Sequence, residues 1–539
     1  MASKSRRGWV WAVLLALAVG LPFLDKPFHV DDPVVLAVAR QVRVDPWRPF
    51  AGHLNWGGEP DALFTVTTNP PLVSYYLAPF LGAFGEREVP LHAAMLIFPL
   101  ILALSVVSLS WRFAGGSAWP LLLVMLSPAV VVSGNLMRDV PAAALSAAAL
   151  ALFVTGVDRR HAGLLFAGSL AAGLAMLTKY SAAALIVPAV AYLGLRREWR
   201  LAWSLLPAAV VLGLWCLENL ATAHQVHLAM LWQTQGDPAS WLKRFWPLWP
   251  ALGASLLIAP ALLAAQTAAR RWWVVLMALA AGVLVPLGAG WYFHQSPGWQ
   301  FTLWSALGAA LLVVVCAGLP SRISNLKSQF LGPSPSDSAF LLAWALSLLA
   351  FSVFCVPFQA IRHFLPALVP LALLAGGQLA AHPGRWLAGL AGALVLAQGG
   401  LAFASGIADC QYADAYRRYA AEAGRRYRGQ QVWFAGHWGW QEYASRQGFH
   451  LISIDDPVPP AGSLVILPDR VHQSALPAAW EPLLQPVTVR AYRTRLPLRT
   501  MDGARHAGFY SLGGLQVPFA FTRDPVLEVF RVFRVGEGP

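Results

Sequence analysis

Charge is scarce in this chain. Asp, Glu, Lys and Arg together make up 12% of its 539 residues, about half the share found in a soluble globular domain. With 57% apolar residues, that deficit excludes an ordinary water-soluble fold. Cysteine is scarcer still: Cys216, Cys316, Cys355 and Cys410 have neither metal-ligand spacing nor a disulfide framework. Three of them fall in apolar runs, where a free Cys behaves as a small hydrophobe. No Gly-rich phosphate loop, Walker pattern or zinc-ligand spacing is present, and no repeat recurs at a fixed period.

Long apolar runs take the place of these features. Trp9–Leu24, Leu91–Leu109, Ala162–Leu177 and Phe301–Leu319 approach or reach the length a helix needs to span a bilayer. In lipid the backbone must satisfy its own hydrogen bonds, so these runs are helices. The first follows Lys4, Arg6 and Arg7 as a signal peptide would. It is followed by Leu-Asp-Lys-Pro-Phe and no small-x-small cleavage site, so it reads as a retained first helix. Counting runs and breaks gives about 13 spans.

The net charge of +13 suggests nucleic acid until its distribution is examined. The short breaks near Arg112, Asp158–His161, Arg196–Arg200, Arg270–Arg271, Ser321–Lys327 and His382–Arg385, taken with the N-terminus, hold 14 Lys/Arg against 3 Asp/Glu. That bias assigns them to the cytoplasm and accounts for nearly the whole positive excess. Nucleic acid is therefore not a partner. An odd number of spans then places the C-terminal tail outside, along with a first loop over about 25–90 and a second around Glu218–Phe245.

Residues 1–405 read as an all-α polytopic membrane domain. Residues 406–539 carry 15 Arg against 12 acidic residues and short alternating runs. Val432–Ala435, Leu451–Ile454 and Leu464–Leu467 predict strands, with a helix over Gln441–Gln447 between the first two. Val487–Tyr492 and Val526–Val535 predict further strands of unassigned pairing. The order suggests a small extracytoplasmic α/β domain.

Ionisable groups at span ends are the candidates for chemistry, because burying charge in lipid is costly. Phe28-His-Val-Asp-Asp-Pro follows the first helix. Pro33 suits the first position of a helix and Asp32 its cap, which leaves Asp31 free to act as a base. Asn69 and Tyr76 belong to Thr68-Asn-Pro-Pro-Leu-Val-Ser-Tyr-Tyr76, which also reads as a Pro-set turn with an aromatic belt. Arg138-Asp139-Val-Pro opens the fourth span, where an acid at a helix N-terminus is favourable in any case. Lys179 and Tyr180 lie between the fifth and sixth spans, where a Lys can simply snorkel to headgroups. Arg362 and His363 precede the twelfth. Each signal alone has a structural explanation. As a set they put acids and cations on one membrane face, as transfer from a sugar phosphate requires.

The ordered combination is more specific than its parts. It runs from an acidic pair after the first helix, through Pro-Pro-Leu in a long loop and Asp139 at the fourth span, to Gly-Leu-Ala-Met-Leu-Thr-Lys179 and Arg362-His-Phe-Leu-Pro-Ala-Leu-Val-Pro. This resembles the GT-C glycosyltransferases, in particular the bacterial relatives of protein O-mannosyltransferases and the lipid A aminoarabinose transferase, over about residues 8–380. The resemblance implies a helical membrane fold of about 13 spans, an outer C-terminal domain and a polyprenyl-phosphate-linked sugar donor. It implies catalytic roles for Asp31 and Asp139, with Lys179, Arg362 and Arg138 at the donor phosphate. Asp32, Asn69, Tyr76, Tyr180 and His363 would bind substrate. Asp32 departs from the Glu common in relatives, and Asn69 from a His, which limits Asn69 to hydrogen bonding. The resemblance makes no cofactor certain. Two acidic groups are able to hold a divalent cation, though no ligand spacing argues for one and no metal site is assigned.

The expected activity is transfer of a monosaccharide to an envelope acceptor (lipid, protein or glycan) on the outer face of the inner, plasma membrane. The alternatives are a transporter or flippase of lipid-linked sugars, and a non-enzymatic assembly protein. A transporter predicts internal repeats and midplane charges; an assembly protein leaves Asp31, Asp139 and Lys179 unexplained. Sugar, acceptor class and oligomeric state are not encoded in any motif.

Overall fold

The computed structural model describes residues 2–233, 240–317, 334–382, 384–471, 476–502 and 507–537. The basic break at Ser321–Lys327 lies outside the described residues. Among those described, eight helices are long and apolar enough to cross a bilayer. A ninth crossing is available from Trp241–Ser255 and Ala259–Ala268, which meet at an 80° bend. Arg7–Phe23, Leu72–Phe84, Ala162–Thr178 and Tyr180–Arg196 are shorter apolar helices. The run between Arg112 and Arg138 differs from a single span, being broken into Trp119–Met125 and Pro128–Val132. Pro128 explains the break: it has no N–H to give the ladder and it forces Ser127 into extended geometry (ψ 135°).

Backbones approach closely where glycines allow it. A Cβ on Gly253 would collide with the Trp304 carbonyl, and one on Gly308 with the Trp249 carbonyl. Helices Leu248–Ser255 and Trp299–Ala317 therefore cross at a reciprocal pair of small residues, as membrane helices commonly do.

The two ends of the helical bundle carry different charge clusters. At one end Arg112 donates to Asp158 (2.6 Å) and to Asp337 (3.1 Å), Arg196 donates to Asp337 (2.5 Å), and Tyr192 donates to Asp158 (2.6 Å). This clasp ties together four helices. Helix Asp139–Arg159 joins it to the other end: Asp158 lies in the clasp, and Asp139 is about 29 Å away at a rise of 1.5 Å per residue.

Helix Arg385–Arg426 is 42 residues long, so the boundary expected at 405/406 falls within one continuous helix. Its first half is apolar and its second half carries the tail. The tail forms a five-stranded mixed sheet from β1 (Val432–Phe434), β2 (His450–Leu451), β3 (Leu464–Pro468), β4 (Leu484–Arg493) and β5 (Val526–Val535). Their order is β2-β1-β3-β5-β4; β1 pairs parallel with β2 and β3, and β5 antiparallel with β3 and β4. The helix between β1 and β2 is Trp438–Arg446, and Tyr419 of the long helix stacks on Phe530 at 4.0 Å.

Glu528 on β5 is fully buried. Its Oε1 accepts the N–H groups of Asp469, Arg470 and Val529 at 3.0, 2.9 and 2.8 Å, while Oε2 has no partner among the described residues. Burial outweighs those amides and raises the carboxyl from 4.5 to about 7. A raised acid stabilises the fold most below its unfolded value, and that contribution is lost as pH rises through the folded one. Protection of β5 amides from exchange is therefore expected to fall between pH 5 and 8.5, by on the order of 3 kcal/mol. Glu528→Gln, neutral throughout, should remove the fall; an equal fall in wild type and Gln variant would mean that Glu528 is not its source.

Candidate active site

At the end of the bundle opposite the clasp lies a cavity of about 1010 Å³. Asp31, Asn69, Arg138, Asp139, Lys179, Tyr180, Arg362 and His363 all line it. Residues spread over more than 330 positions of sequence thus meet in one place. Asp32 and Tyr76 do not line it. The Tyr76 hydroxyl donates to the Ala94 carbonyl (2.7 Å) among Phe80 and Phe98, and Asp32 is fully buried behind the wall.

Local geometry frees Asp31 by a different route from the expected one. The helix begins at Asp32, with Asp31 in the capping position but making no capping hydrogen bond. Asp32 instead accepts from the backbone N–H of His29 (2.8 Å) and of Leu136 (3.0 Å), pinning the first loop to the segment before Arg138. Burial raises its carboxyl from 3.8 to about 7. The preceding Val30 has φ +42°, a region that β-branched residues avoid and that clusters at functional sites.

The other charged groups sit at element ends. Asp139 opens its helix, Lys179 occupies an extended break (φ −154°) before Tyr180–Leu185, and Arg362 lies in the single turn Ile361–Phe364. Lys179 Nζ donates to Asp139 Oδ1 at 2.5 Å. Arg362 Nη1 spans both acids, at 3.0 Å from Asp31 Oδ2 and 3.4 Å from Asp139 Oδ2. Arg138 is different. It is buried, and its Nε and Nη2 have no hydrogen-bond partner among the described residues. Burial lowers its pKa only to about 10, opposed by Asp31 and Asp139, so it is cationic at neutral pH. Three cations face two carboxylates, leaving one uncompensated positive charge. An unpaired buried charge is costly, and the residue that carries this one borders the cavity.

Of the other candidate residues in the wall, Tyr180 and Asn69 are hydrogen-bonded, while His363 Nδ1 is buried with no hydrogen-bond partner among the described residues. Tyr180 hydrogen-bonds His227 Nδ1 (2.9 Å) and accepts from Trp215 (2.8 Å). Asn69 donates to Thr68 (3.0 Å), and the His363 ring lies 5.1 Å from Phe358. Among the described residues no group of three or more His, Cys, Asp or Glu converges as metal ligands would.

Sequence reasoning missed the wall supplied by the tail: Trp438, Met501, Tyr510 and Ser511 also line the cavity. No local pattern marks them. Asp409, which holds Tyr510, did carry a signal, as an acid close behind the last apolar run.

Residues 68–221 match the family described as dolichyl-phosphate-mannose-protein mannosyltransferase. The match takes in Asn69, Arg138, Asp139, Lys179 and Tyr180 but reaches neither Asp31 nor Arg362. No curated protein matches the chain. Among solved structures it is similar to ArnT from Cupriavidus metallidurans in the apo state, at 16% identity over 90% of this chain and 96% of that one, TM-score 0.39. The same protein bound to undecaprenyl phosphate is similar at 16% identity over 97% of each chain, TM-score 0.42. The oligosaccharyltransferase of Archaeoglobus fulgidus, tethered to an acceptor peptide, is similar at 11% identity over 83% of this chain and 64% of that one, TM-score 0.42.

Proposed function

We propose that this protein is a membrane glycosyltransferase that moves a monosaccharide from a polyprenyl-phosphate carrier to an envelope acceptor. The observation that carries the reading is a single cavity wall that brings three cations, Arg138, Lys179 and Arg362, to a partly exposed carboxylate, Asp31. The family match over Arg138, Asp139 and Lys179 supports it. In this mechanism Asp31 takes the proton of the acceptor's nucleophilic atom as that atom bonds to the anomeric carbon. The bond from that carbon to the phosphate oxygen breaks, and its electron pair leaves with the polyprenyl phosphate. Arg138, Lys179 and Arg362 stabilise the charge that grows there. Asp139 holds Lys179 and Arg362 at their posts. The reaction takes place on the outer face of the plasma membrane, with the tail extracytoplasmic. The segregation of basic short breaks from the cavity to opposite helix ends supports that placement.

The test uses purified protein in detergent with polyprenyl-phosphate sugar and a membrane-lipid acceptor fraction, read by mass spectrometry. A sugar gained by an acceptor, with polyprenyl phosphate released, is expected. A flippase has no membrane to work across in this assay, so absence of transfer, paired with donor accumulation and glycan loss in a deletion strain, would favour the transporter alternative.

A further inference from the structure

The cavity is not completed by the helical bundle alone. Tyr510 and Ser511, more than a hundred residues beyond the last apolar run, form part of its wall. Leu512 N–H donates to the Gln359 carbonyl at 2.6 Å, a backbone bridge three residues before Arg362. Gln359 is itself fixed, accepting from Ser352 Oγ (2.8 Å) and donating to the Ser352 carbonyl (2.7 Å). The Arg362 guanidinium lies 5.6 Å from the centre of the Tyr510 ring and donates through Nη2 to the Tyr510 carbonyl at 3.4 Å.

The far end of Tyr510 is anchored in a buried network. Its hydroxyl donates to Asp409 Oδ2 (2.6 Å) and accepts from Asn135 (2.8 Å). Asp409 is fully buried and also receives Lys26 Nζ at 2.7 Å and Thr500 Oγ1 at 2.7 Å. Lys26 in turn donates to the Val132 carbonyl (2.9 Å). One side chain of the tail thus links the first loop, the segment before Arg138, the long helix and the turn that carries Arg362. Among the described residues the Asn135 Oδ1 of this network has no partner, but the bonds around Tyr510 and Asp409 act together and fix geometry more tightly than they would separately.

We infer that Tyr510 is a positioning residue for the reaction, holding Arg362 between Asp31 and Asp139, so that the tail is a working part of the active site and not an appended module. This rests on the glycosyl-transfer reading for its rate arm only. Arg362 contributes most when its charge meets the leaving phosphate in a fixed place, since catalysis by preorganised charge is sensitive to displacement.

The test compares Tyr510→Phe and Tyr510→Ala in the full-length protein, each also combined with Arg362→Met. Tyr510→Phe keeps the ring and removes the anchor; a fall in single-turnover transfer of roughly tenfold is expected, and roughly thirtyfold for Tyr510→Ala, with donor affinity changed less than threefold. In the Arg362→Met background, Tyr510→Ala should cost less than threefold more, because residues acting through one group are not additive. Amide exchange over residues 360–364 should rise in both Tyr510 variants while the clasp helices stay protected. Additive losses, or wild-type rates with unchanged exchange, would overturn the proposal. If wild-type protein transfers nothing, the glycosyltransferase reading fails. Exchange over 360–364 then decides the positioning role by itself.

Discussion

Asp31→Asn is expected to lower single-turnover transfer by a hundredfold to ten-thousandfold, the usual range for loss of general-base catalysis. The amide is isosteric and cannot accept the acceptor's proton. The fold should survive, because Asp31 makes no capping bond and its side chain is 34% exposed. Loss of its ion pair with Arg362 removes little stability at such a site, and Arg362 keeps Asp139 at 3.4 Å. The measurement is transfer from saturating donor by purified protein, with folding followed by size-exclusion profile. Donor affinity should be nearly unchanged, which separates a missing base from a collapsed cavity. Transfer within twofold of wild type would remove Asp31 from the mechanism.

Arg138→Met should be the most damaging change among the cations, lowering turnover by roughly a hundredfold to a thousandfold. Lys179 and Arg362 already have carboxylate partners within the wall, whereas Nε and Nη2 of Arg138 have no hydrogen-bond partner among the described residues. Its charge is buried and its Nε and Nη2 are unbonded among the described residues, so Arg138→Met should leave stability unchanged or slightly raised. Greater stability with lost turnover is the pattern expected of a group held for its ligand. Arg138→Lys should recover only part of the rate, since a point charge cannot replace two fixed N–H donors. A Met variant both less stable and fully active would mark Arg138 as structural and undercut the phosphate assignment.

The outcome for Asp31 and Asp32 shows how far local pattern reaches. Adjacent carboxylates before a proline state that a helix starts there and that one acid is surplus. They do not state that Asp32 turns back to His29 and across to Leu136, because that depends on a segment a hundred positions away. Tyr76 shows the same limit: an aromatic at the end of a proline-set turn has equal reasons to face a ligand or a neighbouring helix. Neighbours alone turned it toward Ala94.

Composition and the distribution of charge by themselves indicated that the chain is membrane-embedded, where its basic breaks fall, and that its candidate acids and cations stand at span ends. Hydrophobic length and the cost of charge in lipid act residue by residue, so they are legible in order along the chain. Tertiary structure alone decided which of those charges pair, that Nε and Nη2 of Arg138 are unbonded among the described residues, and that Tyr510 from the tail closes the wall. Pairing depends on distances between side chains remote in sequence, and a few ångströms separate a bonded guanidinium from an unbonded one.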